Sequence, residues 1–161
     1  MIESFCKWLE NTALSEQFAA VSWIVPTVQS VHIISVSIVF ASMSMLSFRL
    51  LGVSGRARSI AATAAPVLSW LWPALAVLLL TGIVMILAEP ERELLNQVFL
   101  LKMLLIAIAA CVSGVFRGSL SHDPQAWDRA GRRAVAKLTG VALLALWIAI
   151  IVCGRWIAYT Q

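Results

Sequence analysis

No aspartate or glutamate falls inside any of the long apolar runs of this sequence, and charged residues of either sign make up only 12% of its 161 positions. Soluble domains carry about 25%. Paired carboxylates within the apolar part are therefore excluded, and with them most hydrolase and carboxylate proton-relay chemistry. Glycines are few and nowhere gathered into a phosphate-cradling loop, which leaves nucleotide binding without support. There is no Cys-x-x-Cys pair, and three cysteines, an odd number, do not make a disulfide framework. Cys6 lies in the polar N-terminal stretch, while Cys111 and Cys153 sit within apolar runs and read as small packing residues. The opening stretch holds Glu3, Glu10 and Glu16 and lacks the basic-then-apolar order of a signal peptide, so the first span is expected to serve as its own insertion signal. No basic stripe interleaved with aromatics is present, which argues against a nucleic-acid partner.

What the chain has in abundance is apolar surface. Hydrophobic residues make up 61% of it, more than a chain of this size could hide in one soluble core. A lipid bilayer is the solvent that composition demands. A span needs about 20 predominantly apolar residues, and four runs qualify, at about 26–48, 66–88, 94–116 and 135–159. Backbone amides in hydrocarbon must be satisfied within their own segment, so each run is expected to be a helix. The fold class that follows is an all-α membrane protein, a four-transmembrane-helix bundle forming a single membrane domain over residues 1–161. Pro26 and Pro66 are expected near helix starts, where a missing N–H is harmless; Pro73 is expected to kink the second span.

The basic residues Arg49, Arg56, Arg58, Arg117, Arg129, Arg132, Arg133 and Lys137 fall in the loops after the first and third runs, against Lys7, Arg92 and Arg155 on the other side. The positive-inside rule then puts loops 49–61 and 117–137 in the cytoplasm and both termini in the periplasm of a bacterial inner membrane. Residues 3–17 are expected to form a short amphipathic helix in the outer interface, with Phe5, Trp8 and Leu9 on one face. Trp8, Trp23, Trp156 and Tyr159 would make an outer aromatic belt, and Trp70 and Trp72 an inner one. Helices in lipid associate through small residues. Ser30, Ser37 and Ser44 recur every seven residues on the first span, and Ala110, Gly114 and Gly118 every four on the third. Both stripes are expected to pack within the bundle, or to form a seam in a homo-oligomer or larger complex.

Polar residues at similar depth form a layer in the outer half. His32 lies about 9 Å below Pro26 at 1.5 Å per residue, with Gln29 a turn above it on the same face and Ser35 a turn below. Thr81 and Lys102 each lie about 12 Å from the outer ends of their runs; Met85 is a turn from Thr81. Arg155 and Tyr159 are one turn apart near the end of the fourth. Ionisable residues at such depth are functional candidates. Plainer readings stand beside this: Lys102 snorkelling to the interface, His32 as a structural hydrogen-bond group, Arg155 as an anchor. Copper accepts imidazole and thioether ligands, which brings in Met43 and Met85. Haem b with two axial histidines is excluded within one chain, because the only other histidine, His122, lies in the basic loop. A His32–Met pair, or His32 from two subunits, stays open, as does Lys102 holding an anion or a quinone oxygen.

The order His32, Leu79-Leu80-Thr81-Gly82 and Leu101-Lys102 resembles the membrane domain of the copper-resistance protein D (CopD) group. Trp23-x-x-Pro26, Val31-His32, Phe48-Arg49-Leu50-Leu51-Gly52, Thr81-Gly82, Lys102 and Gly154-Arg155-Trp156-Ile157-Ala158-Tyr159 resemble more closely an uncharacterised family of small bacterial four-span proteins. The CopD likeness implies copper uptake or tolerance at the inner membrane, though larger CopD proteins have more spans. The expectations are thus a non-enzymatic, outward-facing pocket for copper or a related ligand, a haem or quinone subunit for electron transfer, or an anchor in a larger complex.

Overall fold

The computed structural model describes residues 2–55 and 57–159; Arg56, counted above among the basic loop residues, lies outside them. Among the described residues seven α-helices follow in order: α1 Ile2–Glu10, α2 Ala13–Ala20, α3 Ile24–Leu51, α4 Ile60–Ala88, α5 Pro90–Leu94, α6 Gln97–His122 and α7 Arg133–Trp156. No strand occurs among the described residues. Four helices, α3, α4, α6 and α7, are long and apolar enough to cross a membrane.

The ends of these helices are set by local chemistry that hydropathy does not report. Thr12, Ser59 and Asn96 accept from Ser15 N, Ala62 N and Val98 N, capping α2, α4 and α6. Three expectations change as a result. Residues 3–17 are not one helix, because Thr12 starts a second one. The Ser59 cap begins α4 at Ile60, so Pro66 is inside the helix rather than at its start. The third span begins at Gln97, since Pro90 opens a separate short helix and Asn96 caps the next. Pro26 is the third residue of α3, where its missing N–H is indeed without consequence. Gly52 ends α3 at φ 75°, a left-handed conformation suited to glycine.

Helix α3 is the hub, packing on α4 and α7, while α7 also packs on α6. The core is made of Val39, Met43, Leu46, Leu71, Phe116, Leu143 and Trp147. Helix α7 comes close to α3 at Gly140: a Cβ there would lie 3.0 Å from both Leu50 Cβ and the Ser47 carbonyl oxygen. Of the serine stripe of α3, Ser44 is half-buried with its hydroxyl enclosed, while the other two face outward. Ser30 and Ser37 are exposed and bond their own helix, to the Pro26 and Ile33 carbonyls at 2.8 and 2.9 Å. Such i−4 bonding satisfies a hydroxyl without a neighbour, so the residue can face lipid. Gly114 and Gly118 likewise have nothing within 4 Å of a Cβ position.

The two ends of the bundle differ. At the acidic end, α1 packs on α5 and α2 on α4; Cys6 and Ser15 are buried, and Ser15 Oγ donates to the Leu87 carbonyl at 2.7 Å. Phe5 and Trp8 stack on each other and stay exposed. At the basic end, Arg49 donates to the Arg58 carbonyl and pairs with Asp128 at 3.0 Å. The Asp128 carboxylate also accepts from Ile60 N, supplying α4 with a second cap. Trp127 packs edge-on to Phe116 and donates to Ser119 Oγ. Arg117 lies over the Trp72 ring, 5.9 Å from its centroid.

Candidate functional site

His32 on α3 and Thr81 on α4 meet in the acidic half of the bundle, His32 Nδ1 lying 2.7 Å from Thr81 Oγ1. The surroundings of Thr81 favour one assignment of the proton. Thr81 Oγ1 is also 2.7 Å from the Val77 carbonyl oxygen and 3.2 Å from that of Leu78. A carbonyl only accepts, so the hydroxyl's single proton goes to the backbone. On that assignment Nδ1 donates to Thr81 and Nε2 keeps the lone pair. Thr81 thus orients the ring and fixes its tautomer, as an outer partner does for a ligating or basic histidine.

Lys102 on α6 is half-buried, with Cε and Nζ each 3.9 Å from the Cβ position of Gly154 on α7. Its ammonium lies within electrostatic reach of His32 and of Glu93 on α5. Among the described residues it makes no ion pair within 4 Å. Because α6 starts at Gln97, Lys102 lies about 8 Å along its helix at 1.5 Å per residue, shallower than the sequence implied. Both residues are half-buried in the acidic half of the bundle, His32 on α3 and Lys102 on α6.

Glu93 is a member that hydropathy could not supply, since it reads as one loop charge among several. Helix α5 turns it inward. Burial raises its carboxyl above the usual 4.5, Lys102 and Arg92 oppose that shift, and Glu89 adds to it. A carboxyl with a raised folded-state value contributes stability at pH below the unfolded value, and that contribution fades as pH climbs through the folded one. Glu93→Gln is therefore expected to flatten the fall of the thermal midpoint as pH rises above the usual carboxyl value of 4.5. An unchanged slope in detergent-solubilised protein would show that Glu93 is solvated.

The other candidates are placed elsewhere. Gln29 is exposed, and Met85 is half-buried a turn from Thr81. Met43 belongs to the apolar core, with Val39 and Leu46, in the basic half of α3. Arg155 and Tyr159 are exposed and serve each other, Nη2 donating to the phenol oxygen at 2.9 Å with the guanidinium over the ring. A copper set is not assembled: among the described residues no three His, Cys, Asp or Glu side chains converge, the Met43 thioether is in the core, and the ion would lie beside an ammonium. One imidazole with a free Nε2 does have the form of a single axial haem ligand.

The four apolar spans define a multi-pass helical integral membrane protein. The chain belongs to a family of unknown function, DUF6644, whose model matches residues 5–160. No curated protein matches it, nor does any solved structure. The likeness to the CopD group therefore rests on the sequence pattern alone.

Proposed function

We propose that the cluster of His32, Thr81 and Lys102 binds a small membrane-soluble ligand carrying a hydroxyl beside a carbonyl oxygen, a quinol–quinone pair being the simplest instance. One observation carries this reading: a tautomer-fixed imidazole and a half-buried ammonium lie within electrostatic reach, and neither Nε2 nor Nζ has a hydrogen-bond partner among the described residues. The imidazole accepts an O–H, and the ammonium donates to an oxygen that holds or develops negative charge. The same ammonium disfavours a copper ion at Nε2 by charge. With the basic loops cytoplasmic and both termini periplasmic in a bacterial inner membrane, the site opens toward the outer leaflet. Electron transfer from such a ligand would require a redox partner in a larger complex, and the chain alone is read as a binding subunit rather than an enzyme.

The test is titration of the protein in lipid nanodiscs with a short-chain quinol, read by tryptophan quenching. Lys102→Met is expected to weaken binding by about 10- to 100-fold, as for a lost charged hydrogen bond, and His32→Ala by about tenfold. Equal affinity in all three proteins overturns the reading. Stoichiometric copper in the purified protein, or a Soret band lost in His32→Ala, would assign the site to copper or haem b instead. Loss of a co-purifying complex without any ligand would assign an anchor.

A further inference from the structure

At the other end of the bundle the structure holds a cavity of about 460 Å³ between the end of α3, the start of α4, the 126–128 turn and the first turn of α7. Its charged lining consists of Arg49, Asp128, Arg133 and Lys137. Two of these are already spent on each other: Asp128 takes Arg49 and the amide of Ile60. Arg133 and Lys137, one turn apart on α7, make no hydrogen bond or ion pair among the described residues, so the lining carries two uncompensated positive charges. The helix they belong to begins without a side-chain cap, and its first amides face the same end with the positive pole of the helix. Leu50, Leu51 and Ile60 line the cavity beside the charges, at the ends of two helices long and apolar enough to cross a membrane.

We propose that this cavity seats the phosphate of an anionic phospholipid from the leaflet on the basic side. A phosphodiester supplies oxygens to guanidinium, ammonium and helix amides together. The leucine and isoleucine walls suit the glycerol and first acyl carbons, and the span-end position puts a lipid rather than a soluble solute within reach. This site is independent of the His32 cluster, at the opposite end of the same helices.

The experiment compares the full chain with Arg133→Ala/Lys137→Ala and with a control of equal charge, Arg58→Ala/Arg117→Ala. Each is delipidated in a neutral detergent and titrated with phosphatidylglycerol, phosphatidylcholine or inorganic phosphate, binding being read by native mass spectrometry and by the thermal midpoint. Each cation in contact with the lipid phosphate adds about fivefold to its affinity, and a cation outside the cavity makes no such contact. The cavity variant should therefore lose about 25-fold for phosphatidylglycerol, the control should lose much less, and Arg133→Lys should keep most of it. Phosphatidylcholine should bind weakly to all. Equal losses in the two double variants would overturn the site in favour of a diffuse basic belt, and inorganic phosphate raising the midpoint as much as phosphatidylglycerol would overturn the lipid assignment. Both double variants change exposed side chains, so their midpoints in phosphatidylcholine alone should stay near that of the unaltered chain.

Discussion

Replacing Gly140 with leucine is expected to abolish the folded bundle, or to lower its unfolding midpoint in mixed micelles by more than any other single change at a glycine. A Cβ at that position meets Leu50 Cβ and the Ser47 carbonyl oxygen at 3.0 Å, with Leu51 Cγ at 3.4 Å. Two of these atoms belong to, or are rigidly attached to, the α3 backbone, so no rotamer change relieves the clash. The helices must separate, and the neighbouring contacts of Leu46, Leu143 and Trp147 in the core loosen with them. Overpacking usually costs about 1–3 kcal/mol, and Gly140→Ala should fall in that range. The leucine adds three more carbons and should exceed it. Gly114→Leu provides the contrast, because a Cβ there meets nothing within 4 Å; its effect should stay within about 0.5 kcal/mol, as for ordinary surface sites. Should Gly114→Leu instead do more damage than Gly140→Leu, α6 would be a seam between copies of the chain, and the α3–α7 crossing would matter less than its geometry implies.

Asp128→Ala is expected to be the most harmful change in any loop. The carboxylate joins two elements: it accepts from Ile60 N at 3.1 Å at the start of α4, and it pairs with Arg49 Nη2 at 3.0 Å at the end of α3. The Arg49 side chain is only 12% exposed, so water replaces its partner poorly. Loss of a helix cap costs about 0.5–2 kcal/mol, and an interaction with a charged group about 1.5–3 kcal/mol. A drop of about 2–4 kcal/mol is the reasonable sum, since Arg49 keeps its bonds to the Arg58 carbonyl. Asp128→Asn should recover roughly half, because the amide oxygen still accepts from Ile60 N. The measurement is reversible unfolding in detergent; a loss under about 0.5 kcal/mol for Asp128→Ala would mean that the pair is solvated and contributes little.

These two sites illustrate where reading a chain stops. Small residues mark the places where a neighbouring helix is able to approach, without naming the neighbour. Ser30, Ser37, Gly114 and Gly118 had suitable spacing, yet the close crossing formed at Gly140, because which faces meet depends on the packing of all four spans. Asp128 reads as one charge in a basic loop until the 126–128 turn carries it onto the amide of Ile60. Glu93 is similar: the short helix opened by Pro90 leaves it half-buried rather than in an open loop. The His32–Thr81 contact was closer to legible, since both residues lie at similar distances from the acidic ends of their helices, and Arg155–Tyr159 follows directly from i, i+4 spacing.

The membrane address, the number of spans and their helical form were decided by the amino-acid order alone. Hydrocarbon admits only segments that satisfy their own backbone, and about 20 apolar residues are enough to specify one. The rotation of each helix about its axis was not decided that way, because four runs apolar on every side carry little amphipathic signal. Only the assembled structure determines that Thr81 holds the imidazole, that Met43 is core, and that Arg133 and Lys137 border a cavity: these depend on contacts between residues far apart in the chain, where packing and not hydropathy selects among arrangements of nearly equal burial.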